Sequence, residues 1–265
     1  MQDIIGEAAG VPYLAVPPGG GPRPDAPVVV AWHLLDPPRT ERAFAAALPL
    51  AGLDAWRIHL GLPLSGSRSP GDEELMRLGF EDAVLKLHGP IPQRALEEAG
   101  PALAVLRDEL GIGDGPVGVL GGSAGAAVAQ LVLTERVLPV RAAVLVSPVV
   151  SLRPLVDALG RRFGFAYSWS PAADAVAASR DFVARAAEFG DVAVRLVVGA
   201  DDAPDGVLAP ARALAEALPV ADLVVVEGME HALAEAPGDE PAPQTPHAAE
   251  VDAHAVAWFR RHLGA

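Results

Sequence analysis

Cysteine is absent from this sequence, which excludes disulfides, thiolate metal sites and a cysteine nucleophile together. Basic residues are scarce as well. Twenty Lys and Arg stand against 34 Asp and Glu, a formal net charge of -14, so nucleic acid and anionic membrane surfaces are not expected partners. No stretch approaches the roughly 18 to 20 uninterrupted apolar residues of a membrane span. The start, Met1-Gln2-Asp3-Ile4-Ile5-Gly6-Glu7, has neither a basic opening nor an apolar run of secretory length. The expectation is a soluble, cytoplasmic protein.

Metal-ligand spacing of His, Asp and Glu is also missing, and Gly111-Ile112-Gly113-Asp114-Gly115 precedes an apolar run instead of following one, so it is no dinucleotide fingerprint. Internal repeats and domain linkers are not found. What is present is apolar bulk: 51% hydrophobic residues in 265, enough for one large core and short for two. A single domain over 1–265 is expected.

Short β-branched or apolar runs alternate with helical patterns along the chain. Strands are expected at 11–16, 27–32, 55–60, 117–120, 140–146, 194–198 and 222–226. Pro12 marks the first as an edge strand. Helices are expected after the N-cap candidate Thr40, with Phe44, Leu48 and Leu50 apolar, and over 72–86, 95–110 and 248–263. This alternation implies an α/β fold: a three-layer sandwich with a central, mostly parallel sheet flanked by helices. About 45 residues separate the strands at 140–146 and 194–198, more than one helix and two loops require. The excess forms an irregular insert or small lid at about 149–190. It carries Phe163, Phe165, Tyr167 and Trp169 in a chain that is only 5% aromatic. Two readings stand equally for these four: a substrate-facing wall, or anchors for an irregular segment.

The chain is organised around Gly121-Gly122-Ser123-Ala124-Gly125. An apolar run precedes it and a small, helix-favouring run follows, which gives a strand, a tight turn and a helix. Glycines on either side of such a corner avoid collisions that a Cβ would cause, and they let the serine take up a strained backbone. The hydroxyl is then presented at a helix start, where free N–H groups and the dipole favour developing negative charge. The alternative is a glycine-rich turn with a serine N-cap.

In an open parallel sheet the ligand sits beyond the carboxyl ends of the strands. Four strand ends carry suggestive residues: Ser123; His33; Gly199-Ala200-Asp201-Asp202; and Gly228-Met229-Glu230-His231. Ser, acid, His is the chain order of hydrolases built on such a sheet. On these residues the chain resembles an α/β-hydrolase of the dienelactone-hydrolase and prolyl-oligopeptidase-related esterase type, from the strand at Val28 to the terminal helix. The resemblance implies Asp202 as the acid, three residues after the glycine that closes its strand, and His231 as the histidine after the last strand. Asp201 and the more distant Asp205 are the other acid candidates. Where the family often has His-Gly before the oxyanion residue, this chain has His33-Leu34-Leu35. His33 is expected to orient that loop, and His59, His88, His247, His254 and His262 to be surface or structural.

The roles then follow from chemistry. Ser123 is the nucleophile, His231 its general base, and Asp202 the group that holds the imidazole in the correct tautomer. The backbone N–H of Ala124 supplies one oxyanion donor and the His33 loop the other, with Leu35 ahead of Leu34. The expected partner is a small-molecule acyl substrate, and the apolar cleft walls implied by Leu34, Leu35 and the aromatic insert favour an ester over an amide. The expected activity is carboxylic ester hydrolysis through an acyl-enzyme, with neither metal nor organic cofactor. The same triad serves amide, peptide and thioester hydrolysis and cofactor-free perhydrolysis, and hydrolase-like folds also host non-catalytic ligand binding. The sequence leaves the oligomeric state open.

Overall fold

A computed structural model describes residues 3–265. Eight strands form one sheet: β1 Ile4–Ala8, β2 Val11–Val16, β3 Val28–Trp32, β4 Trp56–Leu60, β5 Val117–Gly122, β6 Val140–Val146, β7 Ala193–Gly199 and β8 Ala221–Val226. Their order across the sheet is β1-β2-β4-β3-β5-β6-β7-β8. Only β2 runs against its neighbours; every pairing from β4 to β8 is parallel.

Period-two alternation sorts the strand residues between two faces. Val28, Val30 and Trp32 enter one apolar cluster, whereas Val29 and Ala31 enter the other. The second cluster is closed by α1, Glu41–Ala47, and α8, Pro246–Leu263, through Phe44, Val251 and Phe259. The first is covered by α3, Pro90–Leu110, and α4, Ala124–Thr134, with α5 Leu152–Phe163, α6 Pro171–Ser179 and α7 Ala209–Ala217 adding to it. Helix α2, Asp72–Ala83, contributes no buried residue to either. Thr40 caps α1 as expected, its hydroxyl accepting from the Ala43 N–H at 3.1 Å.

One expectation is corrected. The edge position belongs to β1, which pairs antiparallel with β2 through the two-residue turn Ala9-Gly10, both residues at positive φ. Pro12 is tolerated in an inner strand because the β2–β4 ladder begins only at Tyr13. Among the described residues no helix is long and apolar enough to cross a membrane.

The 149–190 stretch is more regular than expected, since it holds α5, α6 and a 3₁₀ turn at Ala186–Phe189. Its aromatics divide. Tyr167 and Trp169 pack edge-to-face at 4.8 Å against the first cluster, and the Tyr167 hydroxyl donates to Asp82 at 2.5 Å. Phe163 is 67% exposed. Phe165, Tyr167 and Trp169 line a recess of about 390 Å³ beside α5 that includes neither Ser123 nor His231. Anchoring accounts for Tyr167 and Trp169.

Candidate active site

Ser123 occupies the corner between β5 and α4 at φ 48°, ψ -110°. That region is sparsely populated for a residue with a Cβ and is held only where packing over-determines it. The packing is visible in the flanking glycines. A Cβ on Gly121 would run into the Gly125 carbonyl, and one on Gly125 would run into the backbone of Trp32 and His33 at the end of β3. The corner can therefore close only with glycine at both positions. Ser123 itself is 7% exposed, and its N–H is tied to the Val146 carbonyl at 2.9 Å.

The loops after β7 and β8 bring the acid and the imidazole to this corner. Asp202 is buried while Asp201 is exposed, and the buried carboxylate faces His231, with Oδ2 and Oδ1 at 2.9 and 3.1 Å from Nδ1. The Ala203 N–H donates to Asp202 Oδ1 at 2.7 Å and fixes the carboxylate. On the other side of the ring, His231 Nε2 lies 2.9 Å from Ser123 Oγ. Asp205, the remote acid candidate, pairs instead with Arg161 at the surface. The two loops are joined where the Asp201 N–H donates to the Met229 carbonyl at 3.0 Å. Gly199 permits that junction, since a Cβ there would coincide with the same carbonyl.

The electrostatics of His231 are mixed. Burial presses the imidazole toward its neutral form, but the hydrogen bond and charge of Asp202 outweigh it, with Asp36 adding to them and Arg162 opposing; the pKa is raised above the ordinary histidine value. Asp36 Oδ2 is 3.8 Å from Nε2. Neither Asp36 nor Arg162 stood out in the sequence, although Asp36 directly follows the candidate oxyanion residue.

The loop after β3 is positioned by His33, which is fully buried. Its Nε2 accepts from the Leu62 N–H at 3.0 Å, so the ring proton is on Nδ1, which donates to the Leu34 carbonyl at 2.6 Å. Burial lowers its pKa to about 4 against that backbone hydrogen bond. The ring is a neutral strut, the orienting role expected of it. Leu34 departs from expectation: its side chain is fully buried under the corner, where a Cβ on Gly122 would collide with it, and it is no cleft wall. Leu35 is half-buried, its carbonyl held by Arg39 Nε at 3.2 Å. Among the described residues, the N–H groups of Leu35 and Ala124 find no hydrogen-bond partner. No group of three or more His, Asp or Glu among them is arranged to hold a metal ion.

This sheet order, with the strand-to-helix corner after β5, is the α/β-hydrolase fold, and solved structures bear that out. TT1662 from Thermus thermophilus superposes with a TM-score of 0.66 at 21% identity, over 100% of both chains. Dienelactone hydrolase from Anabaena variabilis gives 0.58 at 18%, over 99% of this chain and 98% of that one. The Pyrococcus furiosus esterase Pf2001 gives 0.59 at 14%, over 99% and 93%. No protein-family model matches the sequence, and no curated protein does. The chain is thus similar in fold to these proteins at low sequence identity.

Proposed function

We propose that the chain is a serine hydrolase that cleaves carboxylic esters through an acyl-enzyme. One observation carries the reading: the unbroken relay Ser123 Oγ, His231, Asp202, with both links at 2.9 Å and the serine on a strained strand-to-helix corner. An esterase, a monoacylglycerol lipase and a dienelactone hydrolase among the solved structures of the same fold support ester as the bond class.

In this reading neutral His231 takes the Ser123 proton as the hydroxyl attacks the acyl carbon. Asp202 keeps the remaining ring proton on Nδ1 and stabilises the imidazolium. The Ala124 and Leu35 N–H groups, both without a partner among the described residues, receive the oxyanion. The imidazolium returns its proton to the leaving alkoxide, and the same base then activates water to release the acid. Amide, peptide, thioester or perhydrolase chemistry would use the same groups. The lower barrier of esters and the named ester-cleaving proteins of the same fold make ester the working choice. A protein of this fold that only binds its ligand would have no use for the relay.

The test combines a fluorophosphonate probe with nitrophenyl esters graded by acyl length. Stoichiometric labelling of Ser123 with matching loss of esterase activity is expected. Labelling without turnover of any ester would move the assignment to another acyl bond, and failure to label would overturn the nucleophile.

A further inference from the structure

Arg180 is 6% exposed, yet among the described residues no carboxylate comes within 4 Å of it. Its guanidinium makes three long, neutral contacts: Nη1 to Ser179 Oγ at 3.4 Å, and Nη2 to the Gly89 carbonyl at 3.3 Å and Gln93 Oε1 at 3.2 Å. Its Nε has no partner. A buried cation without a counter-ion is costly, and five donors with only three weak acceptors are under-used. Burial and the charge of Arg185 lower its pKa, while the charge of Glu135 opposes them.

Arg180 lines a recess of about 570 Å³ between α3, α6 and the end of α4. The apolar wall includes Leu85, Leu96 and Val176; Gln93 and Ser179 border the guanidinium. Arg185 and Glu135 stand at the rim, joined at 2.7 Å, and Arg185 also holds Glu188 at 2.5 Å. The rim thus holds two carboxylates against one guanidinium, and Arg180, buried further in, is the guanidinium that no carboxylate contacts. Glu135 follows the last residue of α4 and Ser123 precedes the first, so that rim lies about 18 Å from the nucleophile at 1.5 Å per residue.

We propose that this recess is a second binding site, distinct from the Ser123 corner, for a small amphipathic carboxylate whose head is forked by Arg180 and whose chain lies on Leu85, Leu96 and Val176. Arginine is suited to this task because its planar donors match both carboxylate oxygens. The apolar wall supplies the remainder, at about 25 cal/mol per Å² of apolar surface removed from water. Nothing in the proposal depends on Ser123 being a nucleophile.

Isothermal titration calorimetry of the full chain with sodium octanoate, 1-octanol and inorganic phosphate tests it. Octanoate should bind, with 1-octanol and phosphate each at least tenfold weaker. Val176→Trp, which fills the recess, and Arg180→Gln, which removes the charge, should each weaken octanoate at least tenfold. Val176→Trp should leave any ester hydrolysis within twofold of the parent. If Arg180→Gln shows no cooperative melting, Val176→Trp decides alone. Absence of octanoate binding, equal binding by parent and Val176→Trp, or phosphate binding as tight as octanoate would each overturn the proposal.

Discussion

Asp36 and Ser123 address the same nitrogen: the carboxylate is 3.8 Å from His231 Nε2 and the hydroxyl is 2.9 Å from it. With Asp202 on Nδ1, the imidazole stands between two acids. The imidazolium is therefore stabilised from both sides, and the neutral base appears only at higher pH. The acid limb of kcat/KM for ester hydrolysis should have its midpoint above the free histidine value of about 6.5. Asp36→Asn removes one of the two charges, so the midpoint should move to lower pH while the plateau is kept. A pH–rate profile of the two proteins reads this directly, and coincident limbs would show that Asp36 does not act on the base.

Ser123→Ala should lower kcat by roughly 10⁴ to 10⁶. The hydroxyl meets only His231 among the described residues, so thermal melting should be little changed. Residual turnover within tenfold of the parent would remove Ser123 from the mechanism.

The two adjacent aspartates should separate cleanly. Asp202→Asn takes the charge from the Nδ1 side and should reduce kcat by about 10⁴, as loss of the orienting carboxylate does in such triads. Asp201→Asn alters an exposed side chain and leaves the 3.0 Å backbone bond to Met229 intact, so the rate should stay within a few-fold. Steady-state kinetics of both variants decides the matter, and the opposite ranking would transfer the role.

Gly199→Ala introduces a Cβ where the Met229 carbonyl already lies. Overpacking of this kind costs about 1–3 kcal/mol, and the displaced loop is the one that carries His231. Urea denaturation and kcat should both register the change. Wild-type stability together with wild-type rate would mean that the loops have room to part.

Stability should also depend on acid. Burial holds His33 down to about 4 and His59, with Arg57 and His33 nearby, down to about 3. Unfolded chains release such rings to titrate near about 6.5, so below that pH the unfolded state binds more protons and folding stability is lost as the pH falls. Melting temperature should drop between pH 6.5 and 4. His59→Phe, which keeps an aromatic ring beside Phe44, should flatten the drop.

The strands from β2 to β8 were legible because each is a compact, largely apolar run with a glycine or proline close to one end. Ser123, Asp202 and His231 were legible because the fold collects strand ends, and position after a strand is a property of the linear sequence. β1 was not legible: Ile4-Ile5-Gly6-Glu7-Ala8 has little apolar pattern, and it is a strand only because β2 offers it an edge. Leu34 was misread since one residue decides whether a loop side chain points to solvent or beneath the corner. Asp36 and Arg162 could not be assigned to His231, because their proximity is made by loops that meet only in three dimensions. Arg180 gave no sign of its missing counter-ion, which is a fact about every neighbour at once.

The loop that follows β3 is stitched to the segment beyond His231 at three points. The Leu233 N–H donates to the Pro37 carbonyl at 3.0 Å, the Arg39 N–H to Gly238 at 2.8 Å, and the Thr40 hydroxyl to Asp239 at 2.9 Å. His231 and Leu35, the proposed base and oxyanion donor, are thereby carried on one mechanical unit. In the proposed function, an acyl group that wedged against Leu35 would push on His231 as well, so its bulk should register in proton transfer and not only in binding. Steric selectivity in this molecule would then be read out in kcat at least as strongly as in KM.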